Sequence, residues 1–118
     1  MARTRRPRLK APSSDYTSDA GDVLSLRGSL TPAARSEYAQ ALSPHTAAPS
    51  ATVEDAWQRA TELLFERLAV RWTLAGAPID RQGELLARYR AATPSEREWV
   101  RTVLRTHCAE HFPDIQAP

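Results

Sequence analysis

The stretch from Thr52 to Gly76, TVEDAWQRATELLFERLAVRWTLAG, contains the longest continuous helical pattern in the chain and two of its three tryptophans. Thr52 is a favourable N-cap residue, and Glu54 and Asp55 suit the positive end of a helix dipole. Gly76 is a typical residue at a helix C-terminus. The pattern therefore predicts one helix over residues 52–76.

Apolar residues occupy more than half of the circumference of this predicted helix. At 100° per residue, the stripe and its two margins comprise Val53, Trp57, Ala60, Leu63, Leu64, Phe65, Leu68, Val70, Trp72, Leu74 and Ala75. Such an arc is broader than a helix needs for packing against one neighbour. We therefore predict a partner-binding surface formed by Trp57, Phe65 and Trp72, with Arg67 and Arg71 projecting into it. The alternative is that both arginines only extend along the helix surface to reach water.

Helix signals also flank this stretch. Thr31 and Pro32 predict the start of a short helix over about 32–42. Asp80 is a candidate cap for a helix over roughly 81–91, and Thr93-Pro94-Ser95-Glu96 forms a capping box at the start of a helix that extends to about 111. No strand pattern of useful length is evident.

The predicted fold is therefore all-α. A three-helix unit of about 52–112 follows the short helix of about 32–42, a linker up to residue 51 and a mobile basic arm over 1–29, and residues 113–118 form a tail. Within the arm, the DVLSLRG segment is apolar enough to dock in an extended conformation on the folded part. A core of about 60 residues is marginal, so a protein partner or a second copy of the chain is expected.

Positive charge is concentrated at the amino terminus. The chain has a net charge of +2, from 16 basic and 14 acidic residues, but omitting the five basic residues of the first ten leaves −3. These five are Arg3, Arg5, Arg6, Arg8 and Lys10. Such an arm suits contact with nucleic acid or an anionic protein. The alternative is a solubilising tail.

A second basic cluster recurs at a helical interval. Arg97, Arg101 and Arg105 are four residues apart and share one side of the last predicted helix. Together with the helix over 81–91, they predict a helix-turn-helix-like pair whose arginines contact phosphates. The alternative is a solvated face, which the neighbouring Glu98 favours.

His107 and His111 are also four residues apart and can share a metal ion on one helix face. Neither a second histidine cluster nor a second cysteine supplies further ligands, and a hydrogen-bonded core histidine is the alternative for His107. No phosphate-cradling glycine loop or nucleophile motif is present either. The sequence therefore predicts no catalytic residues and no cofactor, and an enzyme acting alone is not expected.

The cellular compartment is predicted from Cys108 and from hydropathy. A single cysteine cannot form an internal disulfide and suits a reducing compartment. The arginines of residues 4–10 resemble a twin-arginine export signal, but the following APSSDYTSDAGDV lacks the required apolar stretch. No apolar run approaches the length of a membrane span. We therefore expect a cytoplasmic protein.

Three functions follow from these patterns. The first is a non-enzymatic helical adaptor or accessory subunit that binds another protein, or itself, through the broad apolar face and the arm. The second is a small DNA-associated regulator that uses the arm and the predicted helix pair. The third is a metal-dependent enzyme that uses His107 and His111.

Overall fold

The chain folds into four helices and an antiparallel sheet in a computed structural model that describes residues 13–42, 53–115 and 117. In chain order the elements are β1 (Ser13–Thr17), β2 (Val23–Arg27), α1 (Pro32–Leu42), α2 (Val53–Leu68), β3 (Ala69–Leu74), β4 (Ala77–Ile79), α3 (Gln82–Arg90) and α4 (Pro94–His111). The four strands form one sheet in the order β1-β2-β3-β4. The all-α prediction is therefore wrong.

The predicted helix over 52–76 is in fact a helix followed by a hairpin. Helix α2 ends at Leu68, and β3 begins at the next residue. In the segment VRWTL, apolar residues alternate with Arg71 and Thr73, which is the two-residue period of a strand. The N-cap predicted at Thr52 lies outside the described residues.

The turn between β3 and β4 explains why Gly76 resembled a helix stop. Its two residues, Ala75 and Gly76, have φ angles of +50° and +80°. Positive φ at both central positions is the signature of a type I′ turn, which joins tightly paired antiparallel strands. Pro78 then lies on an edge strand, where its missing N–H is tolerated.

The amino-terminal hairpin occupies part of the predicted arm. Strands β1 and β2 pair through a short loop that is closed by hydrogen bonds from the N–H groups of Gly21 and Asp22 to the backbone and side-chain oxygens of Ser18. Leu24 and Leu26 are fully buried. The DVLSLRG segment is thus an internal strand of the sheet, paired with β1 and β3.

The helices cover one face of the sheet. Leu24 pairs with Trp72 across β2 and β3, and both side chains are buried. The indole of Trp72 makes an edge contact with Phe65 of α2, whose ring stacks on Tyr89 of α3. The opposite face is polar, and there Ser25 donates a hydrogen bond of 2.6 Å to Asp15.

The starts of three helices can be compared with the capping residues that the sequence predicted. Helix α1 covers the predicted range, and the Thr31 hydroxyl accepts a hydrogen bond from the Ala34 N–H. At α4 the predicted capping box is confirmed, with reciprocal hydrogen bonds between Thr93 and Glu96. Helix α3 lies within the predicted range of roughly 81–91, but the predicted cap at Asp80 is wrong, because the N-cap is Arg81 and makes no side-chain capping bond.

Candidate partner-binding groove

An open groove of about 870 Å³ lies between α2 and α4. One wall comes from the first half of α2 and the other from α4, while Tyr89 and Arg90 at the end of α3 also line it. Arg90 forms an ion pair of 2.5 Å with Glu62, which links α3 to α2. Tyr89 and Thr61 are buried, and burial raises the pKa of the Tyr89 hydroxyl.

The α2 wall of the groove has two exposed apolar side chains among polar ones, which include Glu54 and Glu62. Val53 and Trp57 are 66 % and 52 % exposed, and in the described part of the chain they are the large hydrophobic residues that are exposed to solvent. They are four residues apart, so they lie on the same side of α2, one turn from each other. Tryptophan is among the residue types most enriched at the hot spots of protein interfaces.

The α4 wall of the groove is cationic. Arg97, Arg101 and Arg105 all line it, together with Glu98. Glu98 forms an ion pair with Arg101 and lies 3.9 Å from Arg105. Three arginines against one glutamate leave this wall with a formal charge of +2.

Two arginines on the α4 wall, Arg97 and Arg101, differ in their hydrogen-bonding state. Arg97 makes no ion pair with a described residue, although Glu98 is its neighbour in sequence. The Nε of Arg101 is buried and lacks a hydrogen-bond partner among the described atoms. Arg97 therefore retains capacity to bind an acceptor such as a carboxylate, whereas the buried Nε of Arg101 is out of reach of a partner.

The structure distributes the predicted partner-binding residues over four environments. Trp57 lies in the groove, whereas Phe65 and Trp72 are 0 % and 1 % exposed and belong to the core. Arg67 donates to Glu37 of α1 at 2.7 Å, so it joins two helices. Arg71 is exposed on β3, opposite Ser25 of β2. The predicted continuous surface is therefore not present as one patch.

His107 joins α4 to the sheet with both of its ring nitrogens. Its Nε2 lies 2.6 Å from the Arg27 carbonyl oxygen, which can only accept, so Nε2 carries the hydrogen. Nδ1 then accepts a hydrogen bond of 2.9 Å from the Tyr16 hydroxyl. Burial lowers the pKa of His107 and favours the neutral ring. No ring nitrogen is left to bind a metal.

His111 lies beside the His107 clamp, which is the pair of hydrogen bonds from His107 to Tyr16 and Arg27. Its Nε2 is 3.3 Å from the Ser14 hydroxyl, and its ring centre is 4.4 Å from that of His107. No group of three potential metal ligands occurs in residues 13–42 and 53–115. Cys108 is buried, which raises the pKa of its thiol to about 11 and lowers its reactivity.

The predicted helix-turn-helix-like pair corresponds to α3 and α4, and its contact with phosphates stays a prediction. Helices α3 and α4 are joined by a short turn, but Arg97, Arg101 and Arg105 line a concave groove against α2. A recognition helix instead protrudes so that it can enter the major groove. The five basic residues of the arm, at positions 3, 5, 6, 8 and 10, lie outside the described residues.

The groove also contains residues that the sequence did not single out as functional. Val53 was placed on the apolar arc of the predicted helix, and Tyr89, Arg90 and Glu62 were given no functional role. The four-residue spacing of Val53 and Trp57 was a usable signal, because it places both side chains on the same side of a helix. Nothing in the sequence indicated that Arg90 meets Glu62.

A comparison of the chain with models of protein families, curated proteins and solved structures finds no match. In the described part of the chain, no helix combines the length and apolarity needed to cross a bilayer.

Proposed function

We propose that the protein is a non-enzymatic adaptor or accessory subunit that holds a segment of another protein in the groove between α2 and α4. The exposed indole of Trp57, facing the arginines of α4 across that groove, carries the proposal. The reducing cytoplasm is the proposed compartment, because Cys108 is the chain's single cysteine.

The energetic reasoning starts from Trp57. A tryptophan that is half exposed in the isolated chain loses contact with water when a partner covers it, and tryptophan is the residue type most enriched at interface hot spots. Val53 extends the apolar contact by one helical turn. Charged groups on the other wall can orient the partner and exclude wrong ones.

The described residues give less support to the two other functions. The α4 arginines line a groove together with α2, whereas a recognition helix protrudes from its domain to enter the major groove of DNA. Both nitrogens of His107 are already bonded within the protein, which disfavours metal-dependent catalysis. DNA contact through the arm stays a prediction of the sequence.

The test is quantitative affinity capture from the native host with the full chain and two variants. Trp57→Ala removes the exposed indole, and Arg59→Ala is the matched control because Arg59 is exposed on α2 outside the groove. We expect one partner to be captured by the wild type and by Arg59→Ala but lost with Trp57→Ala. The interface should weaken by about 2 kcal/mol, or roughly 30-fold in Kd.

Reconstitution then locates the contact. Hydrogen exchange of the purified complex should show protection in the first half of α2 and in α4. A partner that binds Trp57→Ala as tightly as the wild type, or that protects only other elements, would contradict the proposed function. Capture that disappears after nuclease treatment would instead support the DNA-associated alternative.

A further inference from the structure

We infer that the segment held in the groove is an amphipathic helix whose apolar side contacts Val53 and Trp57 and whose flank carries carboxylates that pair with the α4 arginines. This inference rests on the proposed function and adds the chemistry and secondary structure of the partner.

The two walls present rows of side chains with the same period. Val53 and Trp57 are four residues apart on α2, and Arg97, Arg101 and Arg105 are four residues apart on α4. Four residues of a helix advance about 6 Å, so each row offers a contact about every 6 Å. A helix repeats its own side chains at the same interval, and it can therefore match an apolar row and a charged row together.

The positive charge of the α4 wall predicts acidic residues on the flank of the partner helix that faces α4. Arg101 and Arg105 share Glu98, and Arg97 has no ion pair with any described residue. A carboxylate on a partner would therefore have Arg97 as its counterion on the α4 wall. Arginine is well suited to this role, because its planar guanidinium binds a carboxylate through two parallel hydrogen bonds.

The acidic residues of the groove argue against a nucleic acid as the occupant. Glu54 and Glu62 belong to the α2 wall and Glu98 to the α4 wall. A phosphate backbone carries a charge on every nucleotide and would meet these carboxylates at close range. A polypeptide helix can place its carboxylates on one flank only and keep an apolar side toward Trp57.

The walls also argue against an extended partner that adds to the structure as a strand. Such a partner needs unpaired backbone N–H and C=O groups along a sheet edge. Both long walls of the groove are helices, whose internal backbone groups are already bonded within the helix. Recognition here must therefore use side chains.

The experiment uses the full chain and a displayed library of 18-residue helical peptides that is randomised on one face and both flanks. Binders are selected on the wild type and then screened against Trp57→Ala. We expect groove-dependent binders to carry apolar residues at i and i+4 and Asp or Glu on the adjacent flank. Replacing those acids with Gln or Asn should weaken binding about five- to tenfold.

A charge exchange identifies the contact directly. Arg97→Glu should weaken the acidic peptide about tenfold or more, and a lysine at the facing peptide position should restore binding to this variant. Arg59→Glu is the matched control and should leave affinity unchanged. The Arg97→Glu variant should fold, because Arg97 lies near the start of α4, where a glutamate suits the helix dipole. Circular dichroism verifies that each variant is folded.

The possible failures are distinguishable. Groove-dependent binders that are neutral, basic or non-helical would overturn this inference and leave the proposed function standing. The same inference fails if a 12-nucleotide single strand of deoxythymidine displaces the peptide and protects the groove. Absence of any Trp57-dependent peptide, together with native capture that does not depend on Trp57, would overturn both.

Discussion

The hydrogen bond from Tyr16 to His107 connects the first strand to the last helix, and its removal gives the sharpest test of the fold. Substitution Tyr16→Phe deletes one hydroxyl and changes little else in the shape of the side chain. The acceptor it leaves behind is Nδ1 of His107, a side chain with 0 % exposure. The ring cannot relieve this by moving its hydrogen, because Nε2 must keep donating to the Arg27 carbonyl.

The expected cost follows from this arrangement. A buried acceptor without a donor destabilises a protein by about 1–3 kcal/mol, and the partial exposure of Tyr16 favours the lower half of that range. We therefore expect a loss of about 1.5 kcal/mol. For a domain of this size, that corresponds to a decrease in Tm of roughly 6–12 °C.

The assay is thermal and urea unfolding at pH 7.5, with Tyr89→Phe as the matched control. Tyr89 is also buried, but its hydroxyl makes no hydrogen bond with another described residue. Its loss should change stability by less than about 0.5 kcal/mol. Nitrogen NMR of the wild-type imidazole should show a protonated Nε2 and a bare Nδ1. Equal destabilisation by the two variants, or the opposite tautomer, would refute the reasoning.

Three further predictions concern His107, Ala75 and Cys108. Because burial lowers the pKa of folded His107, the unfolded chain binds more protons, so stability should decrease as pH falls below about 6.5. Urea unfolding at pH 7.5 and 5.5 measures this, and His107→Gln should reduce the difference. Ala75→Asn should raise the free energy of unfolding by about 0.5–1 kcal/mol, because asparagine tolerates positive φ. If residues 52–76 were one helix, the same change would instead lower stability. The Cys108 thiol, with a pKa of about 11, should react with a disulfide reagent at pH 8 roughly a hundredfold more slowly than in the unfolded chain. A comparable rate before and after unfolding would contradict its burial.

The sequence by itself determined the features that depend on neighbouring residues. The bonds of Thr31 and those between Thr93 and Glu96 span three residues each, so the starts of α1 and α4 could be read locally. The alternation in VRWTL was equally local, but its apolar positions also fit a helical stripe. In a short apolar run, the two periods cannot be separated without knowing what packs on each face.

Only the tertiary structure decided between those two periods. β3 pairs with β2, which lies far away along the chain, and the partner of Trp72 there is Leu24. In the assembled fold Trp72 of β3 packs against Phe65 of α2 in the core, whereas Trp57 is exposed, although all three seemed equivalent on one helical arc.

The same reasoning applies to the candidate site. Trp57 and the α4 arginines were recognised separately, as a protein-binding and a nucleic-acid-binding feature. Their meeting across one groove is set by how α2 and α4 pack, and the clamp at His107 joins residues 91 positions apart. Contacts of this range depend on the whole fold, because the local order of residues does not specify which distant elements pack or pair with each other.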